Sequence, residues 1–217
     1  MTPKLYILEE SPAARAAMMA CEIYEVPVKY ISVNLSEGEH LKPEYLKKNP
    51  LHTVPTFEDG DLTLCDSHAI VAYLAEQYGK DDSLYPKDIK QRALVNQKLF
   101  FNSAILFQRL RNVTYPAIIE GERKPTEKRL NDIKEAYAFL EEFLTRNKYL
   151  ALDHFTIADL VAFPTTTGLN HIVPLDAIKY PKVQAWISAI KKLSFAEKCN
   201  KSGDLKYLKL IRECIDE

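Results

Sequence analysis

Apolar positions in the first eighty residues follow two different spacings. Short runs rich in β-branched and aromatic residues predict strands, and runs with apolar residues three and four positions apart predict helices. The resulting order, β-α-β-α-β-β-α, predicts a small α/β sandwich. The predicted elements span residues 4–8, 11–24, 28–33, 43–48, 53–58, 62–64 and 67–78.

Turn and cap residues delimit these elements. Ser11-Pro12 combines a favoured N-cap with a proline that suits the first position of a helix. Asp59-Gly60 predicts a hairpin turn between two of the strands. Gly79 is a residue at which the last helix of this region is expected to stop.

The pattern changes after Gly79, where a polar linker is followed by helical periodicity alone. No convincing strand pattern occurs from residue 88 onward. We therefore predict an N-terminal α/β domain, residues 1–80, and an all-helical domain, residues 88–217. Helices are expected at residues 89–119, 126–146, 157–168, 182–193 and 205–215.

Two local features belong to the third of these helices. Thr156 and Asp159 form a variant of the capping box, which predicts a structural role for Asp159 and not a catalytic one. Pro164 lies inside the apolar run and lacks an amide donor. It is therefore expected to kink or shorten the helix.

Composition narrows the classes of function. The 217 residues carry 29 basic and 30 acidic side chains, so no strongly basic field is present to hold nucleic acid or an anionic membrane. We expect no membrane span and no signal peptide. The four cysteines show neither a CxxC pair nor metal-ligand spacing. They predict reduced thiols, no bound metal and a cytoplasmic location.

Ser11 is the first candidate for chemistry. It stands between a strand and a helix, so its hydroxyl is expected near helix N-terminal amides, which favour an anion such as a thiolate. Taken alone, such a serine is more often only an N-cap. No Gly-x-Ser-x-Gly elbow surrounds it, which disfavours acyl-transfer chemistry.

Two further segments have both a binding and a plain structural interpretation. Pro55 begins a strand after a loop and suggests a cis peptide bond, which would leave the Val54 backbone free to pair with an extended peptide ligand. Val54 can equally be core filler. Asp66 and Ser67 at a helix start suit an ammonium and a carboxylate group respectively, or form a simple helix cap.

Taken together, five motifs resemble those of cytosolic glutathione transferases, closest to the insect delta/epsilon branch. Residues 78–87 and 110–114 favour the epsilon class. The resemblance covers essentially the whole chain and implies a thioredoxin-like N-terminal domain followed by a helical bundle. The motifs are Ser11-Pro12-x-x-Arg15, Gly38-Glu39-His40-Leu41-Lys42, Asn49-Pro50-Leu51-His52-Thr53-Val54-Pro55, Asp66-Ser67-His68-Ala69-Ile70 and Thr156-Ile157-Ala158-Asp159.

The resemblance implies glutathione as co-substrate. Ser11 would donate a hydrogen bond to the glutathione sulfur and stabilise its thiolate, which fits the effect of fixed donors on a thiol's pKa. The other implied glutathione-binding residues are His40 and His52 for the glycine carboxylate, Thr53, Val54 and Pro55 for the cysteinyl backbone, and Asp66 and Ser67, with His68 nearby, for the γ-glutamyl end.

One departure from the family pattern affects the γ-glutamyl end. The chain reads Asp66-Ser67-His68 where delta enzymes typically have Glu-Ser-Arg, and Asn102 replaces a carboxylate common on the following helix. We expect a weaker charge network behind this part of the site.

The resemblance also implies a site for a second, apolar substrate and a homodimer. The expected reaction is attack of the thiolate on a small hydrophobic electrophile, or assisted loss of halide, as in detoxification and insecticide dehydrochlorination. The implied site for this electrophile is lined by Leu8, Ser103, Phe107, Leu110, Arg111, Tyr115 and Tyr207.

Three other functions remain open at this point. The chain is alternatively a non-catalytic binder of glutathione or hydrophobic ligands, or a hormone-pathway enzyme with a narrow substrate. A protein-interaction module is the third alternative. The complete set of motifs from Ser11 to Ser67 argues against that third alternative.

Overall fold

A four-stranded mixed sheet organises the first part of the chain. The computed structural model describes residues 2–216. The strands lie in the order β2-β1-β3-β4, with β1 parallel to β2 and antiparallel to β3, and β3 antiparallel to β4. They are β1 (Lys4–Ile7), β2 (Lys29–Ser32), β3 (Thr56–Asp59) and β4 (Leu62–Leu64).

Burial explains the central place of β1. Leu5 faces Phe57 of β3 in register, and both side chains are fully buried. The predicted hairpin turn is confirmed between β3 and β4, with Gly60 at a φ of 61°. The helices of this region are α1 (Pro12–Ile23), α2 (Pro43–Leu46) and α3 (Ser67–Tyr78), with a 3-10 turn at Glu39–Leu41.

The strand predicted for residues 53–58 begins later than expected. The Thr53 carbonyl accepts the Tyr45 hydroxyl at 2.6 Å and the Asn49 side-chain amide at 2.8 Å. Because side chains take this carbonyl, it has no strand neighbour, and regular pairing starts at Thr56.

The rest of the described chain is helical, with no strand between residues 65 and 216. The helix predicted for residues 89–119 is divided by a π-helical segment. A short helix that the pattern did not predict, Ser194–Cys199, precedes the C-terminal helix. The elements are α4 (Ile89–Phe101), the π segment (Asn102–Leu106), α5 (Phe107–Ile119), α6 (Glu127–Arg146), α7 (Ile157–Ile172), α8 (Pro181–Lys191), α9 (Ser194–Cys199) and α10 (Lys201–Cys214).

Helix α7 lies at the centre of the core, and its capping box is confirmed. The Thr156 hydroxyl accepts the Ala158 amide, while the Asp159 carboxylate accepts the Thr156 amide at 3.0 Å. Asp159 also accepts the Trp186 indole N–H at 2.9 Å. Burial raises the pKa of Asp159, and the four donors around it favour its charged form. Its role in the fold is therefore structural.

The expectation that Pro164 shortens this helix is wrong. Helix α7 runs on to Ile172, and its residues 157–169 are all buried. Threonine hydroxyls in the turn after the proline add donors to nearby carbonyls, including Thr165 to Val161 at 3.3 Å and Thr166 to Ala162 at 2.8 Å. Packing on every side and these added donors offset the cost of roughly 3 kcal/mol that proline imposes inside a helix.

Two further expectations concern cysteines and membranes. All four cysteines are free thiols, as the sequence predicted. Across residues 2–216, none of the helices is both long and apolar enough to cross a bilayer.

Candidate active site

Ser11 caps helix α1 and keeps its own proton available. The residue stands in extended backbone just before Pro12, and its Oγ accepts the Ala14 amide at 3.3 Å. A hydroxyl has one hydrogen to donate besides its lone pairs. The two interpretations of this serine are thus compatible, because the oxygen caps the helix while the O–H can point at an anion near the helix N-terminus.

The Val54 backbone is open beside the sheet. The bond between Val54 and Pro55 is cis, as predicted. Within residues 2–216, neither the Val54 amide nor its carbonyl takes part in a hydrogen bond. Thr56 continues the segment as the first residue of β3. An extended peptide can therefore add hydrogen bonds at Val54, next to an ordered strand.

His40 and His52 come together from different loops. Their ring centroids lie 6.1 Å apart. Burial, with a smaller contribution from His52, lowers the pKa of His40, whose Nδ1 is buried without a partner in the described part of the chain. His52 has a φ of 46°, which is uncommon outside glycine. The pair presents two imidazoles that suit a carboxylate.

Asp66 caps helix α3 with a single carboxylate oxygen. Its Oδ1 accepts the His68 amide at 2.8 Å, the Ala69 amide at 3.2 Å and lies 3.1 Å from the His68 ring. These contacts, led by the His68 side chain, hold the pKa of Asp66 below its usual range. Over residues 2–216, its Oδ2 makes no hydrogen bond. Ser67 follows as a buried first residue of the helix.

A contact that sequence reasoning missed links this region to the π segment. The Asn102 side-chain nitrogen lies 2.9 Å from His68 Nε2, and Asn102 itself is buried. The sequence motifs alone show only that Asn102 replaces a carboxylate. In the structure, Asp66, His68 and Asn102 form a continuous chain of polar contacts from the start of α3 to the π segment.

The residues predicted for the electrophile separate into two groups. Leu8, Ser103 and Phe107 are partly exposed, and Arg111 and Tyr115 are exposed. By contrast, Leu110 is 2% and Tyr207 4% exposed. Both pack against Gly168 of α7, so they belong to the core in this structure.

Arg111 and Tyr115 also border a surface cavity. The Arg111 guanidinium lies 4.5 Å from the centre of the Tyr115 ring, a cation–π arrangement. The cavity measures about 400 Å³ and includes neither Ser11 nor Phe107. Its lining residues are Arg111, Asn112, Tyr115, Pro116, Thr126, Lys128, Arg129 and Asp132. Searched over residues 2–216, the structure shows no group of three or more metal-ligating side chains.

Family models match most of the chain. A model of the glutathione S-transferase N-terminal domain matches residues 5–82, and one of the C-terminal domain matches residues 91–193. Glutathione S-transferase 1 of Manduca sexta is 45% identical over 206 residues, which are 94% of each chain.

Solved structures agree with this match. An epsilon-class glutathione S-transferase from the housefly, Musca domestica, has a TM-score of 0.95 and 42% identity, covering 97% of both chains. A glutathione transferase homolog from Drosophila mojavensis, solved with bound glutathione, has a TM-score of 0.96 and 40% identity over 99% of this chain and 98% of that one.

These likenesses confirm the predicted fold class, a thioredoxin-like N-terminal domain followed by a helical C-terminal domain. The match extends over both parts of the chain. Sequence identities of 45% and 42% indicate a shared family and not only a shared fold. The chain belongs to the glutathione S-transferase enzymes, in the insect delta/epsilon branch of that family.

Proposed function

We propose that this enzyme joins the thiolate of glutathione to small hydrophobic electrophiles in the cytoplasm, in the detoxification of foreign compounds. Loss of hydrogen chloride from chlorinated insecticides is included in the proposal. The observation that supports it most strongly is Ser11 at the opening of α1, where its oxygen caps the helix and its O–H remains available to an anion.

The proposed glutathione site has three parts. The glycine carboxylate binds between His40 and His52, whose rings are neighbours. The cysteinyl backbone pairs with Val54, with Thr53 and the cis Pro55 on either side. The γ-glutamyl end is held by the free Oδ2 of Asp66 and by Ser67, with His68 behind them. Together, the three parts fix the tripeptide.

The proposed reaction begins with loss of the thiol proton to water. Ser11 donates its O–H to the resulting sulfur anion, which lowers the pKa of the bound thiol. The thiolate then attacks an electrophilic carbon, a C–S bond forms, and a leaving group such as chloride departs with its electron pair. In the elimination, the thiolate instead removes a proton from the carbon next to the C–Cl bond, and chloride leaves.

The electrophile is proposed to lie against Leu8, Ser103, Phe107, Arg111 and Tyr115, which all present some surface. Leu110 and Tyr207 support this wall from behind, because they are buried between α5, α7 and α10. This arrangement suits an apolar molecule with one polarised group near the Arg111 cation.

We further propose that residues 1–80 form the glutathione-binding domain and residues 88–217 the domain that supplies the hydrophobic site. A homodimer is proposed to form through an aromatic patch, defined as Phe100, Phe101, Phe139 and Phe143. Phe100 is 72% exposed, and the ring of Phe101 lies 5.0 Å from that of Phe143. Contiguous exposed apolar surface is a common feature of protein interfaces, and this supports the proposal.

The substitution Ser11→Ala tests the catalytic proposal. Loss of one fixed donor to a developing anion reduces kcat about 10²–10³-fold, so conjugation of an activated aryl chloride should fall by that factor. The variant should still be retained by immobilised glutathione, because the other contacts remain. Full activity in the variant, or failure of the parent to bind the column, would contradict the proposal.

A further inference from the structure

Helix α10 contacts the loop residues that come just before Ser11. The backbone carbonyl of Glu9 approaches Gly203 so closely that a Cβ at position 203 would come within 2.2 Å of the Glu9 oxygen. The Glu9 carboxylate also accepts Lys206 Nζ at 2.6 Å. The close approach requires glycine at position 203, because a side chain there would displace the Glu9 backbone.

A second contact lies on the other side of Ser11. The buried Arg15 side chain donates from Nη1 to Asn200 Oδ1 at 2.8 Å and to Asp204 Oδ1 at 2.9 Å. The Arg15 amide donates to the Ser11 carbonyl at 3.0 Å. In residues 2–216, its Nε and Nη2 have no partner. The guanidinium therefore takes its hydrogen bonds at the start of α10.

Helix α7 holds Asp204 from behind. The Thr167 hydroxyl donates to Asp204 Oδ1 at 2.7 Å, and His171 Nε2 lies 3.0 Å from Oδ2. Burial raises the pKa of Asp204, but the hydrogen bond with His171 and the charge of Arg15 outweigh it and hold the pKa well below its usual range. A charged Asp204 thus joins α10 to both α7 and the first turn of α1.

We propose that α10 positions the Ser11 hydroxyl for the glutathione sulfur, with Gly203 and Asp204 as positioning residues. They fix the backbone two residues before Ser11 and the side chain four residues after it. A misplacement of about 1 Å at a reacting group can cost about 100-fold in rate. The inference rests on the proposed role of Ser11 and adds the element that aims it.

The decisive variant is Gly203→Ala, compared with Ser202→Ala on the exposed side of the same helix. In Gly203→Ala, kcat with an activated aryl chloride should fall about 10- to 100-fold. The KM for glutathione should change less than about threefold, since the residues proposed for its two ends lie on other loops. The pKa of the bound thiol, followed by thiolate absorbance, should rise. Ser202→Ala should match the parent in all three measurements.

A milder pair of variants decides the matter if Gly203→Ala does not fold. Thr167→Val removes the hydroxyl that Asp204 accepts, and Thr167→Ser keeps it. The free energy of one hydrogen bond corresponds to about a fivefold change in a rate constant. The kcat should therefore fall about fivefold in the valine variant and return to the parental value in the serine variant.

Two results would overturn the inference. One is a folded Gly203→Ala with parental kcat and thiol pKa, and the other is equal activity in Thr167→Val and Thr167→Ser. Ser11→Ala in the same assay separates the two proposals. Parental activity in Ser11→Ala refutes the role of Ser11 itself. Loss in Ser11→Ala together with parental Gly203→Ala refutes only the role of α10.

Discussion

At the residue scale, two helix caps each keep one polar group unused. Ser11 accepts the Ala14 amide and retains its hydrogen, and Asp66 takes three contacts on Oδ1 while Oδ2 stays open. A capping side chain is already fixed in one rotamer by the helix it serves. A ligand that uses its free atom therefore meets an ordered partner and costs little further side-chain entropy.

Replacement of Asp66 by asparagine removes the negative charge of the side chain and keeps its ability to cap the helix. Asparagine caps helices about as well as aspartate, so Asp66→Asn should leave the melting temperature unchanged. The KM for glutathione should rise about tenfold, because the ammonium loses a charge-assisted hydrogen bond. Steady-state kinetics and thermal unfolding measure the two effects. An unchanged KM would leave Asp66 as a helix cap alone.

The lowered pKa of His40 predicts a pH dependence of binding. The glycine carboxylate of the ligand favours protonated His40. The pKa of His40 is therefore higher in the complex than in the free enzyme, and binding takes up a proton. Affinity for S-methylglutathione, which has no thiol to titrate, should increase about fivefold from pH 7.5 to 5.5. Calorimetry checks this, with His40→Gln as the control that should flatten the dependence. Equal dependence in both proteins would assign it to another group.

At the element scale, local sequence signals predicted most of the fold. Periodicity and caps gave the order of strands and helices, and α3 has the predicted bounds of residues 67–78. The late start of β3 was not predictable, because it depends on Tyr45 and Asn49 reaching the Thr53 carbonyl. The full length of α7 past Pro164 was missed for a related reason, since packing around a helix is not visible in its own sequence.

The candidate site shows the same division. Each residue proposed to bind glutathione was predicted from a motif, but the contact of Asn102 with His68 depends on a π segment. The apolar pattern of residues 89–119 fits a continuous α-helix equally well, so the pattern carried no signal of the break. Burial of Leu110 and Tyr207 also required the packing of α7 against α5 and α10.

The capping box of α7 predicts a stability effect without a catalytic one. Asp159→Ala leaves the Trp186 indole, the Leu150 amide and the Thr156 amide without their acceptor. The free energy of unfolding should fall by roughly 3–5 kcal/mol, while folded protein keeps its specific activity. Denaturant unfolding measures this. The control Glu37→Ala, at an exposed carboxylate, should cost less than about 0.5 kcal/mol.

If Asp159→Ala unfolds at the parental denaturant concentration, the Asp159 carboxylate does not stabilise the fold. Loss of activity in fully folded Asp159→Ala would equally contradict a purely structural role.

At the scale of the whole molecule, the aromatic patch has cations around it. Lys98 Nζ lies 3.6 Å from the centre of the Phe143 ring, and the Arg109 guanidinium 5.3 Å from that of Phe139. Burial, with a smaller effect of Arg146, lowers the pKa of Lys98. The patch combines residues of α4 and α6, with Arg109 of α5 beside it and the buried Lys98 beneath it. Aromatic side chains and arginine are enriched at protein interfaces.

The substitution Phe100→Glu tests the proposed dimer. A charge placed in an apolar interface is costly to desolvate, so the variant should sediment as a single chain of 24.9 kDa and the parent at twice that mass. Ile178→Glu is a matched control, because Ile178 is 94% exposed in the loop before α8. A parent that sediments at 24.9 kDa, or dissociation by both variants, would refute the patch as the interface.

The π segment at Asn102–Leu106 has a consequence for how this chain tolerates changes in length. A π turn holds one residue more than an α turn. About five residues of π geometry turn the chain as far as about four of α geometry, so the segment absorbs its extra residue. Deletion of one residue there would let the helix close into regular α geometry and leave Phe107 and Leu110 facing nearly as they do now. The same deletion in a regular turn of α4 would rotate everything after it by about 100° and reorient the proposed electrophile wall as a unit.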